Sequence, residues 1–268
     1  MAKVFGVVSR FPDHLPYFYP NYYEVKDVAG VWHPPIPGTI PMVSIFGDNR
    51  VAEAHPDWVQ EGPDGLRGTR AARYFDWDTL CPGRDEVWSL AWDWIERALQ
   101  GSRSSVLRLD DVSFAREGFC QCPVCRRRQG TEDGTRYRVH RIAEFVRQAR
   151  ERADAIHFTL YPDPFPGHLP RRFGVDPTLL NRWVDVYVVP IYDLHYATTY
   201  WLEILAGAFR EILEKPFYIE LYGLGVEQAS LLRAAEVAQF YADGVIIAYD
   251  NNLTKIRTIQ ETLNHARG

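Results

Sequence analysis

Asp110 and Asp111 close the run VLRLDD, and nine residues beyond Asp111 begins the pattern Cys120-x-Cys122-x-x-Cys125. Two carboxylates at the end of an apolar strand offer a proton donor and a base. Three thiols on one short loop offer ligands that can converge on one ion at about 2.3 Å. Cys81 is the only other cysteine in the chain, so the four together predict a closed four-thiolate zinc site. Such a site has no open position for a substrate. Its part would be structural, pinning the loop that follows Asp111. Two disulfides or four inert thiols are the other readings, and the lack of a secretion signal counts against disulfides.

These groups need elements to hold them. Residues 3–9 (KVFGVVS) read as a first buried strand. Residues 11–41 carry seven prolines among aromatics, too many for a regular helix. They read as a packed loop with room for one short strand near Val28–Trp32. Residues 40–46 (IPMVSIF) are the next strand. After a glycine-rich polar loop, 85–99 show a helical stripe of Val87, Leu90, Ala91, Trp94, Ile95 and Ala98. The strand 105–109 follows, then an amphipathic, arginine-rich helix over 137–152. From there the alternation is regular: strand 155–160, helix 176–182, strand 185–191, helix 198–213, strand 216–221, helix 226–241, strand 243–248, helix 253–266. Apolar strands alternating with helices are the pattern of a parallel sheet covered by helices. Seven strands and a possible eighth predict a single (β/α)8 TIM barrel domain over 1–268, with an irregular N-terminal part and a zinc clip around 81–125. A doubly wound open sheet is the alternative. Gly223-x-Gly225 is only a fragment of a dinucleotide fingerprint.

Barrel active sites form at the C-terminal strand ends. Those ends supply Arg10, Asp48 and Asn49, Asp110 and Asp111, Tyr161, Tyr192, Asp193 and His195, Glu220 and Tyr222, and Tyr249 and Asp250. Singly, each could cap a helix or face solvent. Together they suit chemistry in which one carboxylic acid protonates a leaving group and a second carboxylate acts across the bond, as in glycoside hydrolysis. Aromatics make up 14% of the chain; their flat faces suit sugar rings, although core filling accounts for most. There is no serine or cysteine nucleophile motif and no P-loop.

A net charge of −5 and one short basic run, Arg126-Arg127-Arg128, do not make a nucleic-acid face. No run is long enough to span a membrane, and without a basic leader the reading is a cytoplasmic protein. Only four of the 30 basic residues are lysines, a bias compatible with a thermophile or a GC-rich genome.

HPDWVQEGPDG, CPGRDEVW, LRLDDVSF and CQCPVC, in that order, resemble the matching region of family 42 glycoside hydrolases, the β-galactosidase type, over roughly residues 40–128. KPFYIELYG is similar to the strand that carries the nucleophile in the wider clan. The resemblance implies a retaining hydrolase acting on a carbohydrate, with Asp111 as acid/base, Glu220 as nucleophile and a structural zinc on Cys81, Cys120, Cys122 and Cys125. The chain departs from the family: Asp110-Asp111 stand where it has Asn-Glu, and the chain is much shorter. Adjacent strand residues point to opposite faces, so both acids reach the mouth only if the strand ends between them. An α-galactosidase-like arrangement, with Asp110 or Asp111 as nucleophile and Asp193 as acid, is the second mechanism. A barrel that binds sugar without cleaving it, or serves as a scaffold, is the alternative of a different class.

Overall fold

The computed structural model describes residues 3–265. Eight parallel strands close into a barrel in chain order. They are β1 (Val4–Ser9), β2 (Asn21–Lys26), β3 (Ile40–Ser44), β4 (Val106–Asp110), β5 (Ala155–Thr159), β6 (Val186–Pro190), β7 (Phe217–Tyr222) and β8 (Gly244–Ala248). β8 pairs with β1 along Val4–Val8 and leaves no open edge, which excludes the open doubly wound sheet. Around it lie α1 (Asn49–Ala54), α2 (Asp85–Ser102), α3 (Pro123–Gln129), α4 (Gly134–Arg150), α5 (Pro177–Leu180), α6 (Tyr200–Ile212), α7 (Gln228–Tyr241) and α8 (Leu253–His265). Among the described residues no helix is long and apolar enough to cross a membrane.

The period-two alternation of a strand sorts its residues between helix layer and barrel interior. Leu107 and Leu109 of β4, Phe217, Ile219 and Leu221 of β7, and Val245 and Ile247 of β8 join the main core under the helices. On α2, Val87, Ala91, Ile95 and Ala98 return the same stripe to the sheet. The alternate positions face inward. A small interior cluster of Val8, Tyr22, Ile40, Met42, Val188, Ile246 and Ala248 fills the barrel. Arg108 sits beside it, with its guanidinium 4.7 Å from the Tyr22 ring centroid. The next inward positions towards the C-terminal ends are Glu24, Ser44, Asp110, Thr159 and Glu220. Ser44 is the register partner of Asp110, so these polar residues form one layer at the mouth.

Two sequence expectations shift. The strand in the proline-rich stretch is Asn21–Lys26, not Val28–Trp32; Trp32 makes only a single antiparallel bridge back to Lys26. Its inward position beyond Tyr22 holds buried Glu24, and a bulge after it turns buried Lys26 to the helix side, over the Trp94 ring, so it lacks the apolar run by which the other strands are recognised. Helix α4 starts three residues earlier than expected, because the Asp133 side chain accepts from the Arg136 N–H and caps it.

Candidate active site

The mouth holds a cavity of about 440 Å³, within the range of about 300–1,000 Å³ usual for small-molecule sites. Four carboxylates line it: Glu24, Asp110, Asp111 and Glu220. Arg10, Tyr161, Tyr192, Tyr249 and Trp77 stand around them.

Asp110 and Asp111 both reach this space because β4 ends between them. Asp110 is the last strand residue, and Asp111 turns into the left-handed region at φ +53°. Aspartate tolerates that conformation better than most residues. The turn undoes the strand alternation and brings neighbouring side chains into one cavity.

Their surroundings differ. The Ser44 hydroxyl lies 2.6 Å from an Asp111 carboxyl oxygen and 2.9 Å from the Gly47 carbonyl. A hydroxyl has one hydrogen. Ser44 can donate to an ionised Asp111 while Gly47 accepts from Lys26; once Asp111 is protonated, the acid can donate to Ser44 and Ser44 to Gly47. Burial, and then the charge of Asp110, push the Asp111 carboxyl up to about 8. Burial raises Asp110 too, with the Arg108 guanidinium pulling it back. Lys26, buried beneath, is held by the Ser44 and Gly47 carbonyls at 2.8 and 2.9 Å and by Asp48 at 3.1 Å.

Glu220 occupies the opposite kind of environment. It is 1% exposed, ion-paired to Arg108 and accepts a hydrogen bond from the Tyr192 hydroxyl. Arg108 also donates to the Thr159 hydroxyl at 3.1 Å. Although burial opposes its charge, Glu220 and Asp110 keep the guanidinium above its ordinary range. Burial and Arg108 push His157 below it down to about 4, so this histidine adds no second charge to the floor. Glu24 pairs with Arg10 and accepts from the Tyr249 hydroxyl at 3.1 Å; burial raises its carboxyl against the pull of Arg10.

Of the residues expected at the mouth, Arg10, Asp110, Asp111, Tyr161, Tyr192, Glu220 and Tyr249 line the cavity. The others lie outside its lining, for reasons of local structure. Asp48 caps α1 through the Val51 N–H at 2.8 Å and pairs with Lys26. Asn49 accepts from the Asp78 N–H. Asp193 is exposed and accepts from the backbone N–H groups of His195 and Tyr196. The His195 side chain is exposed. Tyr222 packs behind the wall, against the Tyr192 and Tyr249 rings. Asp250 is buried in an ion pair with Lys255. Sequence reasoning missed Glu24, Trp77, Ser44, Thr159 and Arg108. Arg108 was readable: two residues before Asp110, it must share the same strand face.

The cysteines do converge. All four are buried, and their sulfurs lie within 4.8 Å of one another. Cys81 Sγ is 3.6 Å from Cys122 Sγ and 3.3 Å from Cys125 Sγ. A tetrahedral ion with bonds of about 2.3 Å separates its thiolates by about 3.8 Å, whereas a disulfide needs about 2.05 Å. The thiols are therefore free, and the cage is close to metal size. The Glu61 N–H donates to Cys120 Sγ at 3.3 Å and the Cys125 N–H to Cys122 Sγ at 3.5 Å. The Tyr137 hydroxyl, buried without a nitrogen or oxygen partner, is directed to Cys125. Donors aimed at sulfur suit thiolates, so the residues fit a bound metal.

No protein-family model matches this sequence, and no curated protein matches it. Solved structures do match in fold. The chain is similar to α-L-fucosidase isoenzyme 2 from Paenibacillus thiaminolyticus, at 12% identity, a TM-score of 0.64, and coverage of 100% of this chain and 49% of that one. It is similar to the spore cortex-lytic enzyme SleL of Bacillus megaterium, at 8% identity and a TM-score of 0.58, covering 97% and 73%. It is also similar to the family GH36 α-galactosidase AgaA of Geobacillus stearothermophilus, at 8% identity and a TM-score of 0.54, covering 99% and 42%. The chain thus spans about half of the fucosidase and less of the galactosidase. The (β/α)8 barrel is the fold these enzymes share with it. At these identities the likeness is one of fold, and it does not single out family 42.

Proposed function

We propose that the protein is a glycoside hydrolase in which Asp111 protonates the leaving oxygen and Glu220 acts as the second carboxylate. One observation carries the reading. A single cavity holds a carboxyl pushed up to about 8, Asp111, and a buried carboxylate with an arginine counter-charge, Glu220. Two carboxyl groups in contrasting environments divide the roles of acid and base. A proton held on Asp111 at neutral pH is available to the glycosidic oxygen. The Arg108 ion pair and the Tyr192 hydroxyl orient the Glu220 carboxylate at the floor. By the family resemblance Glu220 is a nucleophile and the anomeric configuration is retained, so water then releases the sugar with Asp111 as base. Arg10, Glu24, Tyr249 and Asp110 would bind hydroxyls. Asp193, the acid of the α-galactosidase-like scheme, lies outside the cavity lining and has no comparable support.

We also assign a structural zinc to Cys81, Cys120, Cys122 and Cys125. When bound, it would supply a crosslink between the segment after Asp111 and the Glu61–Cys81 segment. It takes no part in the reaction.

The test is hydrolysis of a panel of aryl glycosides by the wild type, Asp111→Asn and Glu220→Gln. Both substitutions should lower kcat by at least about 10²-fold in protein with an unchanged circular dichroism spectrum. Azide should restore turnover to Glu220→Gly and give a glycosyl azide of inverted configuration. An inert wild type that still binds sugar would support the non-catalytic barrel instead.

A further inference from the structure

A second cavity of about 160 Å³ opens beside the first. It is smaller than usual stand-alone ligand sites, and Trp77 and Tyr161 line both spaces. It is an annex of the main site, separated from it by two aromatic walls. We propose that this annex is a leaving-group subsite that takes a second sugar ring, so that the substrates are disaccharides or longer glycosides. The inference rests on the assignment of Asp111 as the acid.

The position of the annex carries the first part of the argument. A side chain at Gly47 would meet Ser44 Oγ and the Trp77 indole at 3.0 Å each. Ser44 is the hydroxyl that touches Asp111. Trp77 therefore stands on the Asp111 side of the main cavity. The acid protonates the oxygen of the departing group, so the space beyond the acid belongs to that group.

The chemistry of the walls carries the second part. Past Trp77 and Tyr161 the annex presents Tyr74, Phe75, Phe173 and Arg116. Tyr161 and Phe173 stack in parallel, with centroids 4.0 Å apart, which holds the Tyr161 ring as a rigid, flat wall. The Arg116 guanidinium lies 5.4 Å from the Tyr74 centroid and 5.2 Å from that of Phe75. It donates to the Tyr74 carbonyl. Among the described residues no carboxylate lies within ion-pair distance of it, whereas Arg172 nearby is paired with Asp163. A guanidinium has five N–H donors, so Arg116 has several to spare. Flat apolar faces beside hydrogen-bond donors match a pyranose ring, with its C–H face and its rim of hydroxyls. Asp76, also in the lining, offsets the charge, which favours a neutral sugar over an anionic one.

Saturation-transfer NMR titration of the wild-type chain tests this. The probes are methyl glycosides of glucose, galactose, fucose and N-acetylglucosamine, and disaccharides carrying each at the non-reducing end. At least one disaccharide should bind tenfold or more tighter than the matching methyl glycoside, a difference of about 1.4 kcal/mol. Arg116→Ala and Tyr74→Ala should each cut that advantage below threefold. Equal affinities, no binding by any probe, or an advantage that survives both substitutions would overturn the subsite. The same spectra show whether sugar is released. A disaccharide advantage without turnover would support the subsite and count against the hydrolase reading.

Discussion

Replacing Asp111, the proposed acid, should make the protein more stable at alkaline pH, and the size of the gain follows from the site. In the folded chain Asp111 releases its proton near pH 8 rather than near 3.8. Between those values the unfolded chain has lost this proton and the folded chain has kept it. Each pH unit in that window then lowers folding stability by about 1.4 kcal/mol. Below pH about 4 both states are protonated and the residue costs nothing. From pH 5 to 8 the full slope would sum to about 4 kcal/mol. Asp111 is only half-buried, and solvent screening lowers this to on the order of 2 kcal/mol. Asparagine is neutral throughout, tolerates the left-handed backbone, and its amide can donate to Ser44 as a protonated acid can. Asp111→Asn should therefore match the wild type within about 1 kcal/mol at pH 5 and exceed it by on the order of 2 kcal/mol at pH 8. Urea unfolding followed by tryptophan fluorescence, at constant ionic strength, measures both. Parallel stability curves for the two proteins across this range would refute a neutral Asp111 in the folded chain. The gain in stability should accompany the loss of activity, as expected where a site is built for chemistry.

In the proposed mechanism the same proton sets the rate: kcat/KM should fall as the pH rises past about 8, and an activity that climbs through pH 9 would remove Asp111 from the acid role. Arg108→Met leaves the Glu220 carboxylate buried without its counter-charge and should cost about 3–5 kcal/mol in urea unfolding; Arg108→Met with Glu220→Leu should recover much of that, and a double variant as weak as the single one would argue against the ion pair as the cause. Elemental analysis of the purified protein should find about one zinc per chain, and Cys81→Ser should lower both the zinc content and the thermal midpoint. Wild type that is metal-free and fully stable would dismiss the zinc assignment.

The fold was legible where residue type and role coincide. Leu107, Leu109, Ile219, Leu221, Val245 and Ile247 are apolar because they lie under helices, and their runs marked the strands. The cysteines were legible because a C-x-C-x-x-C loop holds its thiols close whatever surrounds it, leaving only Cys81 to be brought in by the fold. β2 was misplaced because Glu24, its interior position at the mouth, and Lys26, turned out by a bulge, are both charged; the pattern failed where the site begins, and Glu24 was lost with it. The strand-end list was too generous for a related reason. In a βα unit the same few residues carry active-site groups and helix caps, and sequence does not separate them. Asp48 and Asp193 proved to serve backbone N–H groups, whereas Asp111 faces the cavity. Trp77 comes from a polar, glycine-rich connection with no period to read, and only the closed barrel brings it beside Tyr161.

The left-handed turn at Asp111 changes what a conservative substitution means here. In this chain the main chain itself swings the Asp111 carboxyl inward. Its reach is set by a fixed backbone dihedral rather than by a long, flexible side chain. A glutamate at 111 would then overshoot: it would bear the left-handed strain without aspartate's tolerance and push its carboxyl past Ser44. Asp111→Glu keeps the charge and the functional group, yet on this geometry it is the more disruptive exchange, and Asp111→Asn, which removes the acid, is the gentler one for the fold.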